Sequence, residues 1–481
     1  MAKYLHGVRI LENPTSVPTP ATNESGVPVI FGTAPVNMAA DPENATNQLF
    51  LCNTFAEAKA AVGYSDDYEN YTLCQAMDAF FKMYGVGPIV ICNVLDPATH
   101  KEAYTETLDV VNGQAVSKTQ GVLLAGLTVT ENGSVELTKD SDYTVEFNEN
   151  GYIVITVLKE DVTSLTLGGN KIDASTVTAA DIIGSYDAET GKETGTELIR
   201  AVYPKFGLAP SLLLAPGWSH NPTVGLALTE KCKDISGMFT CECVLDLDCS
   251  ATGVKKYTDA ADAKDESGYI SEHAIVLWPM VKYSGKIMAY SAVYAAMVTY
   301  TDYNSDGVPN LSPSNQELRI SATVLEDGTE VNLDVSQANE LNAEGIVTAV
   351  NAGVFKAWGN NTAAYPKVTD PKDRWICCRR FFSWWGNSFI KTYLEKVDNP
   401  ANYRLIESIV DSENVRGNSL VSQGKCAGIK MVYNREDNPV QSVVDGKIVF
   451  RQYLAPFSPA EDILNILEFD PTMIEATLGG E

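Results

Sequence analysis

Basic residues are scarce in this 481-residue chain: 35 Lys and Arg stand against 62 Asp and Glu, a formal charge of -27. A surface that acidic repels phosphate, which excludes general nucleic-acid binding. Histidine is scarcer still. His6, His100, His220 and His273 are scattered, without the paired spacing of a metal site. Ten cysteines are too few for a disulfide scaffold. Cys241 and Cys243 are one residue apart and Cys377 and Cys378 adjacent, so neither pair has the C-x-x-C spacing of a zinc or redox site. Reduced, buried thiols and folding in a cytosol are expected. Long apolar runs are missing too: Ala274–Val281 is the longest, far short of the roughly 20 residues a spanning helix needs. The opening Met-Ala-Lys-Tyr-Leu-His-Gly lacks the apolar core of a secretory signal.

Motifs of catalysis are broken where they begin. Asp302-Tyr-Asn304-Ser-Asp306-Gly307 opens like a calcium loop, but Pro313 stands where the bidentate glutamate belongs, so a polar turn is expected. Gly217-Trp218-Ser219-His220 resembles a nucleophile elbow until Asn221 replaces the closing glycine, which leaves a strand-to-loop turn. No Walker loop or G-x-G-x-x-G occurs, and Gly85-Val-Gly87-Pro88 is too short and too proline-blocked to cradle phosphate. An enzyme of the α/β class would need a clustered titratable site, and none is readable.

What is present is an α/β pattern in a chain long enough for several domains. Val27–Phe31, Pro88–Val94, Ser211–Leu214, Met238–Leu247 and Ala274–Leu277 read as buried strands. Thr54–Val62, Tyr71–Tyr84, Leu198–Tyr203 and Val224–Cys232 read as helices between them, predicting a sheet covered on both faces. Residues 25–112 and 185–370 form this body. Residues 113–184 are Thr- and Val-rich short strands with tight turns at Asn132-Gly133 and Asn150-Gly151, predicting an all-β sandwich insertion.

Residues 1–24 read as an extended arm, since Pro14, Pro18 and Pro20 forbid a helix. Residues 371–470 form an α+β C-terminal domain that is far less acidic: 371–481 hold 13 basic and 15 acidic residues, which leaves 22 against 47 for the first 370. Trp375, Phe381, Phe382, Trp384, Trp385 and Phe389 lie at helical spacing and predict a core rather than a stacking platform for nucleic acid. Ser458-Pro459-Ala460-Glu461 carries helix-start signals and predicts a helix from Pro459 to about Leu467. Residues 471–481 read as a second arm, with period two over Met473–Leu478 predicting a strand in search of a sheet.

Several segments, in order, resemble the sheath protein of contractile phage tails and related phage-like injection particles. They are Gly26-Val-Pro-Val-Ile-Phe-Gly-Thr-Ala-Pro35; Ala79-Phe-Phe-Lys-Met-Tyr-Gly through Val94; Leu214-Ala-Pro-Gly-Trp-Ser219; Asp306-Gly-Val-Pro through Pro313-Ser-Asn315; and Leu341-Asn-x-x-Gly-Ile346 with Trp358-Gly359. Arg379-Arg380, Asp398-Asn-Pro-Ala-Asn402, Gly424 to Gly428, Gly446-Lys-Ile-Val-Phe450 and Pro456-Phe-Ser-Pro-Ala-Glu461 complete the pattern. The order over about 26–100 and 198–470 carries the resemblance, and the β insertion lies outside it.

The resemblance implies a mechanical, non-enzymatic subunit without a cofactor. It would polymerise as stacked hexameric rings around an inner tube and contract from a metastable extended state to drive the tube through a cell envelope. Implied partners are other copies of the chain, the inner tail tube protein, and baseplate and tail terminator proteins, with no nucleic acid and no membrane insertion. The implied location is a virion tail or tail-like particle assembled in the bacterial host cytoplasm. In such sheaths the C-terminal domain is completed by strands from neighbouring subunits. That assigns strand exchange to Val8, Ile10 and Leu11 in one arm and Ile474, Ala476 and Leu478 in the other. It also makes Arg379, Arg380, Lys391 and Lys396 the expected tube-facing basic residues. A static tail or surface-layer structural protein is the alternative.

Overall fold

The computed structural model describes residues 25–131 and 133–478. Its centre is an eight-stranded sheet. The spatial order is Phe355–Trp358, Ile346–Asn351, Ala274–Leu277, Glu242–Asp246, Pro210–Leu214, Val27–Gly32, Ile89–Asn93 and Phe50–Cys52. The six inner strands run parallel, and the two edge strands pair antiparallel. Alternate side chains feed two cores: Val29, Phe31, Leu213, Cys243 and Leu245 pack on one face, while Ile30, Leu212, Leu214 and Val244 pack on the other. Burial on both faces is why these segments read as continuous apolar runs.

Local signals start the covering helices where expected. The Thr54 hydroxyl accepts from the Glu57 N–H at 3.2 Å, capping Phe55–Val62. Asn221 caps Pro222–Lys231, with proline in the first turn where no N–H is needed.

Two antiparallel sheets stand apart from the central one. Lys101–Asp109, Ser164–Ile172, Thr128–Glu131 and Val135–Glu136 form the first; Gln114–Gln120, Tyr152–Val157 and Tyr143–Phe147 form the second. They share their own core of Tyr104, Leu108, Val129, Ile153, Ile155, Leu165 and Leu167. These strands span Lys101 to Ile172, not 113 to 184. Lys101–Asp109 pairs along its whole length with Ser164–Ile172, and Ala179–Ile183 is a helix whose Ile182 belongs to the body core. Only Tyr104 and Leu108 of Lys101–Asp109 are buried, too sparse an apolar pattern to mark the strand in the sequence.

The C-terminal region is built on two helices, Ile376–Tyr393 and Tyr403–Ser422, and a two-stranded sheet of Gly428–Val432 with Arg451–Ala455. Phe381, Trp384, Trp385, Leu420 and Ile429 form its core, with the Arg416 guanidinium 3.6 Å from the Trp385 ring centre. Helix and strand touch at Gly417, where a Cβ would meet the Ile429 Cβ at 2.8 Å.

The chain end departs from expectation twice. No helix forms over Pro459–Leu467: residues 456–470 have no regular structure. Glu461 reaches across 87 residues of sequence to Arg374 instead of closing a capping box. Met473–Leu478 is not a strand but lies within a helix, Pro471–Leu478, capped by Asp470, whose Oδ1 accepts from the Thr472 N–H at 2.9 Å. Among the described residues no helix is long and apolar enough to cross a membrane.

Candidate assembly site

The C-terminal tail presents a run of exposed apolar side chains. Ile463, Leu464, Ile466, Leu467 and Phe469 are between 72% and 87% exposed. Five large apolar side chains within seven residues are costly to leave in water, at about 1.5–3 kcal/mol each relative to burial. Their root is anchored: Arg374 Nη2 lies 2.9 Å from Glu461 Oε2, and the Arg374 guanidinium stacks on Tyr365 and Trp375 at 4.4 and 4.0 Å. Beside this root, the Gly428–Val432 and Arg451–Ala455 strands pair only with each other. A lone two-stranded ribbon is marginal without further strands or a covering helix, and here the Tyr403–Ser422 helix covers one face.

The expected arm residues fall differently. Val8, Ile10 and Leu11, with the whole of the 1–24 arm, lie outside the described residues. Ile474, Ala476 and Leu478 belong to the terminal helix rather than to a strand. The tail apolar run at 463–469 was hidden by the capping signals upstream of it, although its density of Ile and Leu without a nearby partner segment is visible in the sequence.

The four basic residues separate into two groups. Arg380 is 3% exposed and Asp302 is 2% exposed. Arg380 Nη1 donates to Asp302 Oδ1 at 3.1 Å, while Nη2 grips Oδ2. Arg380 therefore cannot face a tube; this expectation is corrected. Its place on the helix shows why: it shares the buried stripe with Phe381, Trp384 and Trp385. Arg379 is also spent internally, with Nη1 3.0 Å from Asp373 Oδ1 and Nε 4.0 Å from Glu242 Oε1. Glu242, unread in the sequence, anchors this helix to the sheet by accepting from the Ser383 hydroxyl at 2.6 Å. Burial pushes the Glu242 carboxyl up, but His273, Arg379 and the Ser383 hydroxyl outweigh it and hold it below the ordinary range. Lys391 and Lys396, near the far end of the helix, are half-buried.

The remaining motifs are structural. Ser219 is buried, with its Oγ 3.2 Å from Asp246 Oδ2, and is not presented as a nucleophile. Asp302 and Asp306 are engaged by Arg380 and Lys425 rather than arranged as a cation loop. At the C-terminal ends of the inner strands lies a cavity of about 600 Å³, the usual ligand position of such sheets. Asp66, Asp67, Glu69, Asp246, Asp248 and Glu326 line it against a single lysine, Lys286, which is paired with Asp66, a net acidic wall that disfavours nucleotide phosphate.

No family model matches the chain. The tail sheath protein of Burkholderia phage BcepMu is 27% identical over 480 residues, covering 95% of this chain and 94% of that protein. The major tail sheath protein of Serratia phage KSP20 is 25% identical over 310 residues, 62% of this chain and 74% of that one. The tail sheath protein of Escherichia phage P2 is 24% identical over 300 residues, 60% and 69%. Among solved structures, the PVC sheath complex of an extracellular contractile injection system in its contracted state superposes with a TM-score of 0.59 at 14% identity. It covers 98% of this chain and 99% of its own. A chain of the anti-feeding prophage baseplate gives 0.57, also at 14% identity, with 97% and 99% covered. The solved structures carry the fold, and the likeness to the phage proteins supports a contractile tail sheath family.

Proposed function

We propose that this chain is the polymerising subunit of a contractile sheath in a virion tail or tail-like particle, assembled in the bacterial host cytoplasm. It stacks as hexameric rings around an inner tube protein between a baseplate and a terminator, and contracts from a metastable extended state to drive the tube through a cell envelope. The observation that carries this reading is the exposed run Ile463–Phe469. As an added strand it would set Ile463, Leu467 and Phe469 on one face and Leu464 and Ile466 on the other, the pattern of a strand buried on both sides. The two-stranded sheet beside its root supplies free edges for such an addition from a neighbouring copy. Donation in one direction, copy to copy, is a head-to-tail contact that builds an open helix.

The proposal moves the C-terminal contact from Ile474, Ala476 and Leu478 to the segment before them and keeps Val8, Ile10 and Leu11 as the partner arm. Lys391 and Lys396 remain the proposed tube-facing charges. Each exposed pair is worth only about 0–1 kcal/mol, which is weak enough to release on contraction and additive over many copies. Deleting residues 462–481 tests the reading. The truncated chain stays folded and soluble but forms no tubes, and tubes of normal length from it would overturn the tail contact.

A further inference from the structure

We infer that Arg374 is the positioning residue of the C-terminal tail: by holding the Glu461 carboxylate it makes the apolar run Ile463–Phe469 leave the body from a fixed point. What the tail then does rests on the sheath reading, but the fastening is a property of the single chain.

The receptor is built from the body alone. Arg374 ends the short helix Pro371–Arg374, started by Asp370, whose Oδ1 accepts from the Lys372 N–H at 3.0 Å. Arg374 Nε donates to Asn361 Oδ1 at 2.9 Å. Asn361 is 3% exposed and is held in turn, its Nδ2 donating to the Asn342 carbonyl at 2.9 Å. The rings of Tyr365 and Trp375 stand 4.4 and 4.0 Å from the guanidinium. One hydrogen bond and two rings therefore fix the plane of the fork, and Nη2 meets Glu461 Oε2 at 2.9 Å. A guanidinium held in this way loses little freedom when a carboxylate arrives.

The tail root has no regular structure to direct it. Two polar contacts tie it to the body, Glu461 to Arg374 and the Phe457 carbonyl to Cys378 Sγ at 3.9 Å. Pro459, Ala460, Glu461 and Asp462 border a cavity of about 590 Å³, so close packing does not seat the root there. Seven residues, 456–462, separate the strand Arg451–Ala455 from Ile463, a connector that reaches about 25 Å when extended. Once Glu461 is fastened, only Asp462 remains between the fixed point and the run. Confining the tail in this way raises its effective concentration at a neighbouring copy. The run is exposed while the pair is closed, so the pair presents the tail rather than hiding it. With side-chain exposures of 23% for Arg374 and 46% for Glu461, the pair holds the root a few-fold more often than not and does not lock it.

Glu461→Gln, Arg374→Met and the double variant test this in two readouts. The first uses chains kept monomeric by Ile466→Asp with Leu467→Asp and carrying a nitroxide on Ile463→Cys, since the ten native cysteines are buried. The label is expected to become more mobile in either single variant and no more so in the double. The second readout is the critical concentration for tube formation in chains that keep the apolar run. It is expected to rise about two- to five-fold in each single variant and no further in the double. Effects that multiply in the double variant would show two residues acting separately and would overturn the pair. A mobility change without tubes from the wild-type chain would contradict the sheath reading, and the aiming role with it, while leaving the fastening. Wild-type tubes with an unchanged critical concentration in the variants would overturn the aiming role alone.

Discussion

Arg380 and Asp302 form a buried two-pronged ion pair that ties the Ile376–Tyr393 helix to the end of the Tyr290–Asn304 helix. Neither charge has water to fall back on, so the pair fixes how the C-terminal region sits on the α/β body. Removing one partner leaves the other charged and desolvated, a loss of about 3–5 kcal/mol. Arg380→Ala is expected to lower stability in chemical denaturation by that amount. The double variant Arg380→Met with Asp302→Leu should lose far less, and equal losses would show that packing rather than charge is at stake.

Lys264 gives the chain a pH dependence of its own. Its ammonium is buried, donating to the carbonyls of Glu344 and Tyr365, and burial pushes its pKa down to about 8. The unfolded chain, with lysine near 10.4, then binds more protons than the native one between about pH 8 and 10.4, so this group makes stability rise with pH across that window. Buried thiols pull the opposite way. The contribution of Lys264 is therefore read as the difference between wild type and Lys264→Met, which should grow in favour of wild type by on the order of 3 kcal/mol from pH 7.5 to 10.5. A constant difference would mean that the native amine titrates normally.

The tail run separates folding from assembly. Ile466→Asp with Leu467→Asp changes side chains that are already in water, so thermal stability should move by no more than about 0.5 kcal/mol. Sedimentation velocity is expected to show monomers where wild type forms large polymers.

Charge reversal at Lys391 and Lys396 addresses the tube contact. Sheath self-assembly should persist while co-assembly with the tube protein weakens, the more so at low salt, where surface charges are least screened. Unchanged co-sedimentation with tubes would place the tube-facing surface elsewhere.

The body was legible because its signals are local or two-sided. Pro88–Val94 and Ser211–Leu214 are apolar throughout since both faces are covered, and Thr54 announces a helix with its own hydroxyl. The errors fall where a distant residue decides. Glu461 sits where a capping box wants it but is taken by Arg374. Arg380 looks like a surface charge until Asp302, 78 residues away, claims it. Met473–Leu478 is too short for its period to discriminate strand from helix, and the Asp470 cap selects the helix. Glu242 was invisible because it lies within an apolar strand and gains its role from Ser383, His273 and Arg379 across the fold.

The central claim is self-assembly into a sheath, and negative-stain electron microscopy of the purified chain at rising concentration, alone and with the tube protein, tests it most directly. The account predicts hollow, ridged tubes with six-fold end views that disappear when residues 462–481 are removed. Persistent monomers of the intact chain under both conditions would contradict it.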